Sequence, residues 1–191
     1  GSVAWNSETT FTATPTVIDA CKGTLTAASA NTSYVTISSG ASTANATSAV
    51  TVKWKGVLKT SSAININVNY ATGDTNNCNN ATQKQYAASV TLATPTVSLT
   101  AKETAYTGSA IAANTATASP DASGSKTYTY YTDSSCSTQT TAANSGAASN
   151  GAAPVNVGQY YVKATVAAVS NKTNVAYSAC TSHKITQTTT T

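Results

Sequence analysis

The chain has no arginine and no methionine, one phenylalanine, one histidine and two tryptophans among its 191 residues. Charged residues make up only 8% of it, against roughly 25% in an ordinary soluble domain. These shortages exclude several functions. Affinity for nucleic-acid phosphates comes from clustered Lys and Arg. Here the ten basic residues are all lysines and scattered, with only Lys53, Lys55 and Lys59 close together, so the net charge of +4 does not indicate nucleic acid. No apolar run approaches the roughly 20 residues of a membrane span, so no membrane insertion is expected of this fragment. No signal peptide is read at its start, and the leading Gly1-Ser2 reads as a cloning remnant on an excised piece of a larger protein.

Catalytic machinery is equally sparse. A hydrolase needs a nucleophile, a base and an orienting acid within reach of one another. The single histidine, His183, stands beside Lys184 in what reads as the last strand, where a surface position is expected. The six acids, Glu8, Asp19, Asp74, Glu103, Asp121 and Asp133, never cluster, which removes a paired-carboxylate glycosidase and a carboxylate-rich calcium site. Asp74 follows Gly73 and Asp133 precedes Ser134, both turn positions. No Gly-rich phosphate loop and no CxxC metal or redox motif occurs. The expectation is no enzyme, no cofactor and no metal.

What the chain does have is Thr, Ser, Asn, Ala and Val in alternating order, with ten tyrosines to supply bulk. From Ala63 to Tyr70, Ile64, Ile66, Val68 and Tyr70 face one way and Asn65, Asn67 and Asn69 the other, which is the pattern of a half-buried strand. Val50, Val52 and Trp54 alternate just before it, and Lys59–Ser62 reads as a turn, so the two segments are expected to form an antiparallel hairpin. Tyr34 to Ser38, Tyr86 to Leu92 and the stretches around Phe11 and Leu25 supply further strands. About seven strands at this spacing point to a sandwich. In the second half, Lys126 to Thr132 and Val157 to Val169 read as central strands. No segment keeps the helical apolar spacing, so helix content should be very low.

Four cysteines, Cys21, Cys78, Cys136 and Cys180, fall two in each half. Three pairings are formally possible, and four buried thiols are the alternative. Pairing Cys21 with Cys78 and Cys136 with Cys180 closes loops of about 45 to 60 residues, each stabilising by about 4 kcal/mol on a chain-entropy estimate. Both latter cysteines fall near strand ends, so their bridge is expected to tie a loop to a late strand. An even count without catalytic partners fits one disulfide per domain and an oxidising, extracellular compartment.

Two domains are also suggested by a short repeat: Ala13-Thr-Pro-Thr-Val17 returns as Ala93-Thr-Pro-Thr-Val97. Pro15 and Pro95 each suit the start of an edge strand, where a missing N–H does little harm. The expected division is a first domain over residues 3–93, a second over 94–187 and a disordered tail over 188–191.

The second half carries Ala105-Tyr-Thr-Gly-Ser-Ala-Ile111, Lys126-Thr-Tyr-Thr-Tyr-Tyr131, Pro154-Val-Asn-Val-Gly-Gln-Tyr-Tyr-Val-Lys-Ala164 and Ala176-Tyr-Ser-Ala179 before His183-Lys-Ile185. Over roughly residues 97–187 these words resemble the MBG-type, bacterial immunoglobulin-like modules repeated in large cell-surface adhesin-like proteins. The first half resembles them only in strand pattern. Trp54 lies 33 residues beyond Cys21 rather than close behind it, and Asn76 stands where an antibody-type domain has a corner tyrosine. The resemblance implies an all-β chain of two tandem immunoglobulin-like β-sandwich domains, each with one disulfide. It also implies a monomeric spacer or adhesive segment, at a bacterial surface or secreted.

If the segment itself binds a host protein, such as an immunoglobulin, or a glycan, exposed aromatics are the expected anchors. Trp54 shares a face with Val50 and Val52 and is expected in the core. Trp5 is a candidate contact because Asn6-Ser7-Glu8 follows it. Tyr131 is another, on the solvent side if Tyr128 and Tyr130 point inward. A Lys–Asn isopeptide bond would need Lys102, Asn171 or Asn174 and a buried acid. Glu103, adjoining Lys102, points to the opposite sheet face, so these pieces do not converge. Sequons at Asn31, Asn45, Asn80 and Asn171 are uninformative in so Asn- and Thr-rich a chain.

Overall fold

The computed structural model describes residues 1–188. They divide into two compact units, Gly1–Ala93 with Ser170–Lys172, and Thr94–Val169 with the chain from Thr173 onward.

The first unit contains β1 (Ser2–Ala4), β2 (Glu8–Ala13), β3 (Gly23–Ser29), β4 (Val35–Ser39), β5 (Ser42–Thr43), β6 (Val50–Gly56), β7 (Ile64–Thr72) and β8 (Ala81–Thr91). Five of them form a sheet in the order β1-β8-β7-β3-β5, and three form a second sheet, β2-β6-β4. Only the β1–β8 pair is parallel. Period-two alternation gives each strand one apolar face. Ala27, Ile66, Ala88 and Val90 of the larger sheet meet Val35, Val52 and Trp54 of the smaller one in a single cluster. Trp54 is fully buried, in the core position its pattern predicts. The two sheets therefore form a sandwich.

The expected hairpin between β6 and β7 is not formed, because the two strands belong to different sheets. Val52 and Trp54 point at the core from one layer and Ile66 from the other. A hairpin would place them side by side in one layer, and the segment 57–63 instead carries the chain across. The outer face of β7 and β8 is a ladder of neutral amides. Asn65 Nδ2 donates to Gln85 Oε1 at 3.1 Å, Gln85 Nε2 to Asn67 Oδ1 at 3.1 Å, and Gln83 Nε2 to Asn69 Oδ1 at 2.9 Å. This is how a chain so poor in charge makes a hydrated sheet face.

The second unit contains β9 (Thr96–Ser98), β10 (Lys102–Ala105), β11 (Thr117–Ser119), β12 (Lys126–Tyr131), the short helix α1 (Ala142–Ser145), β13 (Gly158–Val166), β14 (Ala176–Tyr177) and β15 (Thr181–Thr186). One sheet runs β10-β15-β13-β12 with β14 beside β13, and β11 pairs with β9 in a second. β10 lies parallel to β15. The core is built of small residues, Val97, Ala116, Ala164, Val166 and Ala176, flanked by Leu99, Ala118 and Tyr128. Tyrosines span the remaining depth. The Tyr128 hydroxyl accepts a hydrogen bond from Ala116 N at 2.8 Å and the Tyr130 hydroxyl one from Ala113 N at 2.6 Å. Each ring fills apolar space while its tip satisfies a backbone donor that would otherwise be orphaned.

Helix is confined to α1 and a 3-10 turn at Asp19–Cys21 among the described residues. The ATPTV repeat does not mark equivalent positions. Pro95 directly precedes β9, but Pro15 lies past the end of β2 and starts no strand. Alternation stops at Ala13, and Val17 packs instead beside Leu25, Ala46 and Tyr70. Of the expected disordered tail, Thr188 is placed, its hydroxyl donating to Tyr106 O at 2.9 Å, and 189–191 lie outside the described residues.

Candidate functional site

The first unit has a hollow of about 480 Å³ where the edge of β2 faces the inner side of β7 and β8. Its floor is Phe11, Leu25, Val68, Tyr70 and Tyr86, and its rims are Thr12–Thr16 and the Ala81–Gln85 stretch of β8. Phe11 and Tyr86 stack across one end with centroids 4.1 Å apart, and Tyr86 also meets Trp54 edge-on at 6.3 Å. At the other end the Tyr70 hydroxyl accepts from Gly23 N at 2.7 Å and donates to Ala46 O at 3.0 Å. A Cβ on Gly23 would meet Ala71 O at 2.0 Å, so only glycine lets β3 approach β7 closely enough for this bond.

The β8 rim lies on the side of β8 that β1 pairs with further along. β1 pairs only with Ser89, Val90 and Thr91, and β7 covers the other side of β8. The Gly1 main chain adds one step, its ammonium donating to Ala87 O while Ser89 N donates to Gly1 O at 2.9 Å. Main-chain groups alternate in direction along a strand. The next outward groups are therefore the Ala87 N–H and the N–H and C=O of Gln85, with which no strand among the described residues pairs.

The two disulfides join Cys21 to Cys78 and Cys136 to Cys180. Cys21 ends the 3-10 turn before β3, and Cys78 lies between β7 and β8, so the first bridge links loops at one end of one sheet. Cys136 follows β12 and Cys180 immediately precedes β15. Neither crosses between layers as an antibody-type bridge does. Both are supported by an aspartate-centred turn. Asp74 accepts from Asn76 N at 3.0 Å and Asn77 Nδ2 at 2.8 Å. Asp133 accepts from the Ser135 hydroxyl, from Ser137 N at 3.2 Å and from Thr138 N at 2.6 Å. These bonds, led by that from Ser135, hold its carboxyl far below the usual carboxylate range.

Trp5 is half-buried, packed against the cluster around Trp54, with one side on a shallow hollow lined by Thr36, Lys55, Val57 and Leu58. Tyr130 is buried, Tyr128 packs on the core, and Tyr131 lies on the outer face, directly opposite Tyr161 of β13. Trp5 and Tyr131 are in different units and form no common patch within either.

His183 corrects the surface position expected of it: its side chain is wholly buried. In β15 it takes the inward parity of Ile185, between the Ile111 segment and the Tyr130 ring. No hydrogen bond of good geometry reaches either imidazole nitrogen, although the Ile111 main chain lies near enough to favour the protonated ring slightly. Burial pushes its pKa down, and the Lys102 charge adds to this. Lys102 Nζ donates to Ala112 O at 2.6 Å, whereas Glu103 pairs with Lys184 at 2.9 Å, so the two point apart. No group of three or more His, Cys, Asp or Glu side chains able to hold a metal occurs among the described residues.

The groove escapes sequence reading because it joins residues 11–16 with 68–86 across two sheets. The one sequence signal is that Ala81–Gln85, though strand-like in length with Tyr86–Leu92, supplies almost no apolar side chain of its own.

No family model matches the chain, and no curated protein does. Among solved structures it is similar to the tandem Ig repeats of Dlar, at 10% identity and a TM-score of 0.27 over 98% of this chain and 93% of that one. A score of this size carries no argument, and the fold stands on strand pairing alone.

Proposed function

We propose that the chain is a pair of tandem immunoglobulin-like sandwiches that act as a non-enzymatic spacer or presenting segment of a bacterial cell-surface protein. The strand order carries this reading. An immunoglobulin sandwich sets C, F and G in one sheet against B, E and D in the other. In the first unit β3, β7 and β8 match C, F and G, β2-β6-β4 matches B-E-D, and β1 is the parallel edge strand. The second unit keeps the C-F-G set as β12-β13-β15 with a parallel edge strand, β10, and replaces E and D by the loop and α1 between β12 and β13. One disulfide in each unit supports an oxidising compartment. No helix is long and apolar enough to cross a membrane among the described residues.

The test is made on intact source cells with a membrane-impermeant amine label, followed by thiol trapping under denaturation. Labelled lysines and no free thiol support the surface reading. An unlabelled, four-thiol protein overturns it.

A second reading, recognition of a host protein or glycan, is favoured by the outer face of β12–β14. There Tyr131 opposes Tyr161, and Tyr177, 61% exposed, pairs with Thr165. A glycan array and a serum-protein pull-down with Tyr131→Ala and Tyr177→Ala decide it: saturable binding lost in the variants displaces the spacer role.

A further inference from the structure

We propose that the hollow beside Trp5 in the first unit is a binding site for an acidic sugar, a pyranose ring that carries a carboxylate. The hollow measures about 460 Å³, within the roughly 300–1,000 Å³ of small-ligand sites. Trp5 gives it an aromatic wall, Lys55 and Lys172 bring two ammonium groups, and Asn6 and Thr36 add neutral polar side chains. Lys172 lies in the segment Ser170–Lys172, which packs as part of the first unit. There Lys59 N donates to Asn171 O at 2.8 Å and Ala93 N to Lys172 O at 2.9 Å, which fixes the main chain below the lysine. Its Nζ stands 5.6 Å from the centroid of the Trp5 ring. Trp5 is fixed in the same way, its N–H donating to Thr91 O at 2.8 Å and that of Asn6 to Gly56 O at 2.9 Å. The groups are therefore held in place before a ligand arrives.

The charge balance tells what the ligand carries. Among the described residues Asp19 pairs with Lys22, Glu8 with Lys53 and Glu103 with Lys184, while no carboxylate pairs with Lys55 or Lys172 or lines the hollow. Glu8 stands opposite Lys55 in the β2–β6 ladder, but its carboxylate is taken by Lys53 and the Ser38 hydroxyl. Lys55 and Lys172 are both half-buried, so an anion that reaches them is screened less than at an open surface. The Trp5 ring tells the shape. Its face is electron-rich, so it holds the Lys172 ammonium and equally suits the weakly positive C–H face of a pyranose. A simple anion uses the lysines without the ring, and a neutral sugar uses the ring without the lysines. A carboxylated sugar uses both, with its hydroxyls toward Asn6 and Thr36.

The experiment titrates the full, nitrogen-15-labelled chain and follows the indole N–H signal of Trp5 by NMR. The probes are sialyllactose and tetragalacturonate, with lactose and methyl-esterified tetragalacturonate as their neutral counterparts. Trp5→Phe assigns the signal, and the buried Trp54 serves as the internal reference. A carboxylated sugar should move the Trp5 signal saturably, and its neutral counterpart should bind at least about tenfold more weakly, the scale of one lost hydrogen bond to a charged group. Lys55→Gln and Lys172→Gln should each weaken binding by a similar factor. Neither side chain belongs to the core, so the melting temperature should not change. Lys172→Arg keeps the charge and should retain most of the affinity, and Lys84→Gln, outside the hollow, should bind like the native chain. Carboxylated sugars that bind no better than their neutral counterparts, or lysine-to-glutamine variants at 55 and 172 that bind like the native chain, would overturn the proposal. Sodium acetate competing as well as the sugar would reduce the site to a simple anion site and overturn it too. Tyr131→Ala and Tyr177→Ala should leave this binding intact, and its loss there would move the sugar to the β12–β14 face, against the proposal. The titration does not depend on where the chain resides, so its failure is separable from failure of the spacer reading.

Discussion

The ring of Tyr130 meets the imidazole of His183 edge to face, with centroids 5.3 Å apart and planes at 72°. Their contact belongs to a pocket closed by Ile111, Tyr160 and Ile185 around an imidazole that no hydrogen bond of good geometry reaches. Such a group folds neutral.

Its titration sets a stability window. The folded pKa is depressed below the ordinary 6.5, so the unfolded chain binds the extra proton first. Stability is complete above about pH 6.5 and falls as the pH drops below that value toward the folded pKa. The ionisable side chains around the imidazole are Lys102, whose charge adds to the depression, Tyr130 and Tyr160. Lowered carboxylates such as Glu8 and Asp133 add their own loss only at lower pH, below their ordinary values of 4.5 and 3.8. Melting temperatures measured from pH 7.5 to 5 should decline for the native chain and stay nearly flat for His183→Phe. An equal decline in both would exclude His183 as the cause.

Reduction should unfold the chain more than any single surface change. The bridges span 57 and 44 residues of sequence, so removing either costs about 4 kcal/mol on the chain-entropy estimate. Cys21→Ser/Cys78→Ser and Cys136→Ser/Cys180→Ser, compared by urea denaturation, should each lose a large share of the stability of one unit. Thiol titration of the unreduced, denatured chain should read zero.

Tyr70→Phe removes an acceptor for Gly23 N and a donor to Ala46 O while leaving the ring in place. An unsatisfied buried backbone donor costs about 1–3 kcal/mol. Tyr177→Phe, on an exposed ring, should change stability by less than about 0.5 kcal/mol. Equal effects in chemical denaturation would mean that the Tyr70 hydroxyl contributes only its ring's packing.

Asp133→Ala removes the acceptor shared by Ser135, Ser137 and Thr138, the turn in which Cys136 holds a positive φ of 54°. Amide exchange at Ser137 and Thr138 should accelerate, and dithiothreitol should reduce the Cys136–Cys180 bridge faster than in the native chain. Asp133→Asn, which keeps one acceptor oxygen, should fall between the two.

The sequence by itself determined the all-β class, because strict alternation such as Ile64-Asn-Ile-Asn-Val-Asn-Tyr70 lets a chain bury one face only as a strand. It also determined the inward place of Trp54 by parity, the opposite facing of Tyr130 and Tyr131, the turn roles of Asp74 and Asp133, and the near absence of helix. Only the tertiary structure decided which strands neighbour one another. The same alternation serves a hairpin or two facing layers, so β6 and β7 read as partners although they stand in opposite sheets. His183 is the second instance. Its neighbours Ser182 and Lys184 are polar, and local pattern assigns it to water. Its burial depends on Ile111, 72 residues away, and on Tyr130. The groove is the third: its walls come from β2, β3, β7 and β8, and a cavity is a property of how far apart packed layers stand, which no single segment encodes.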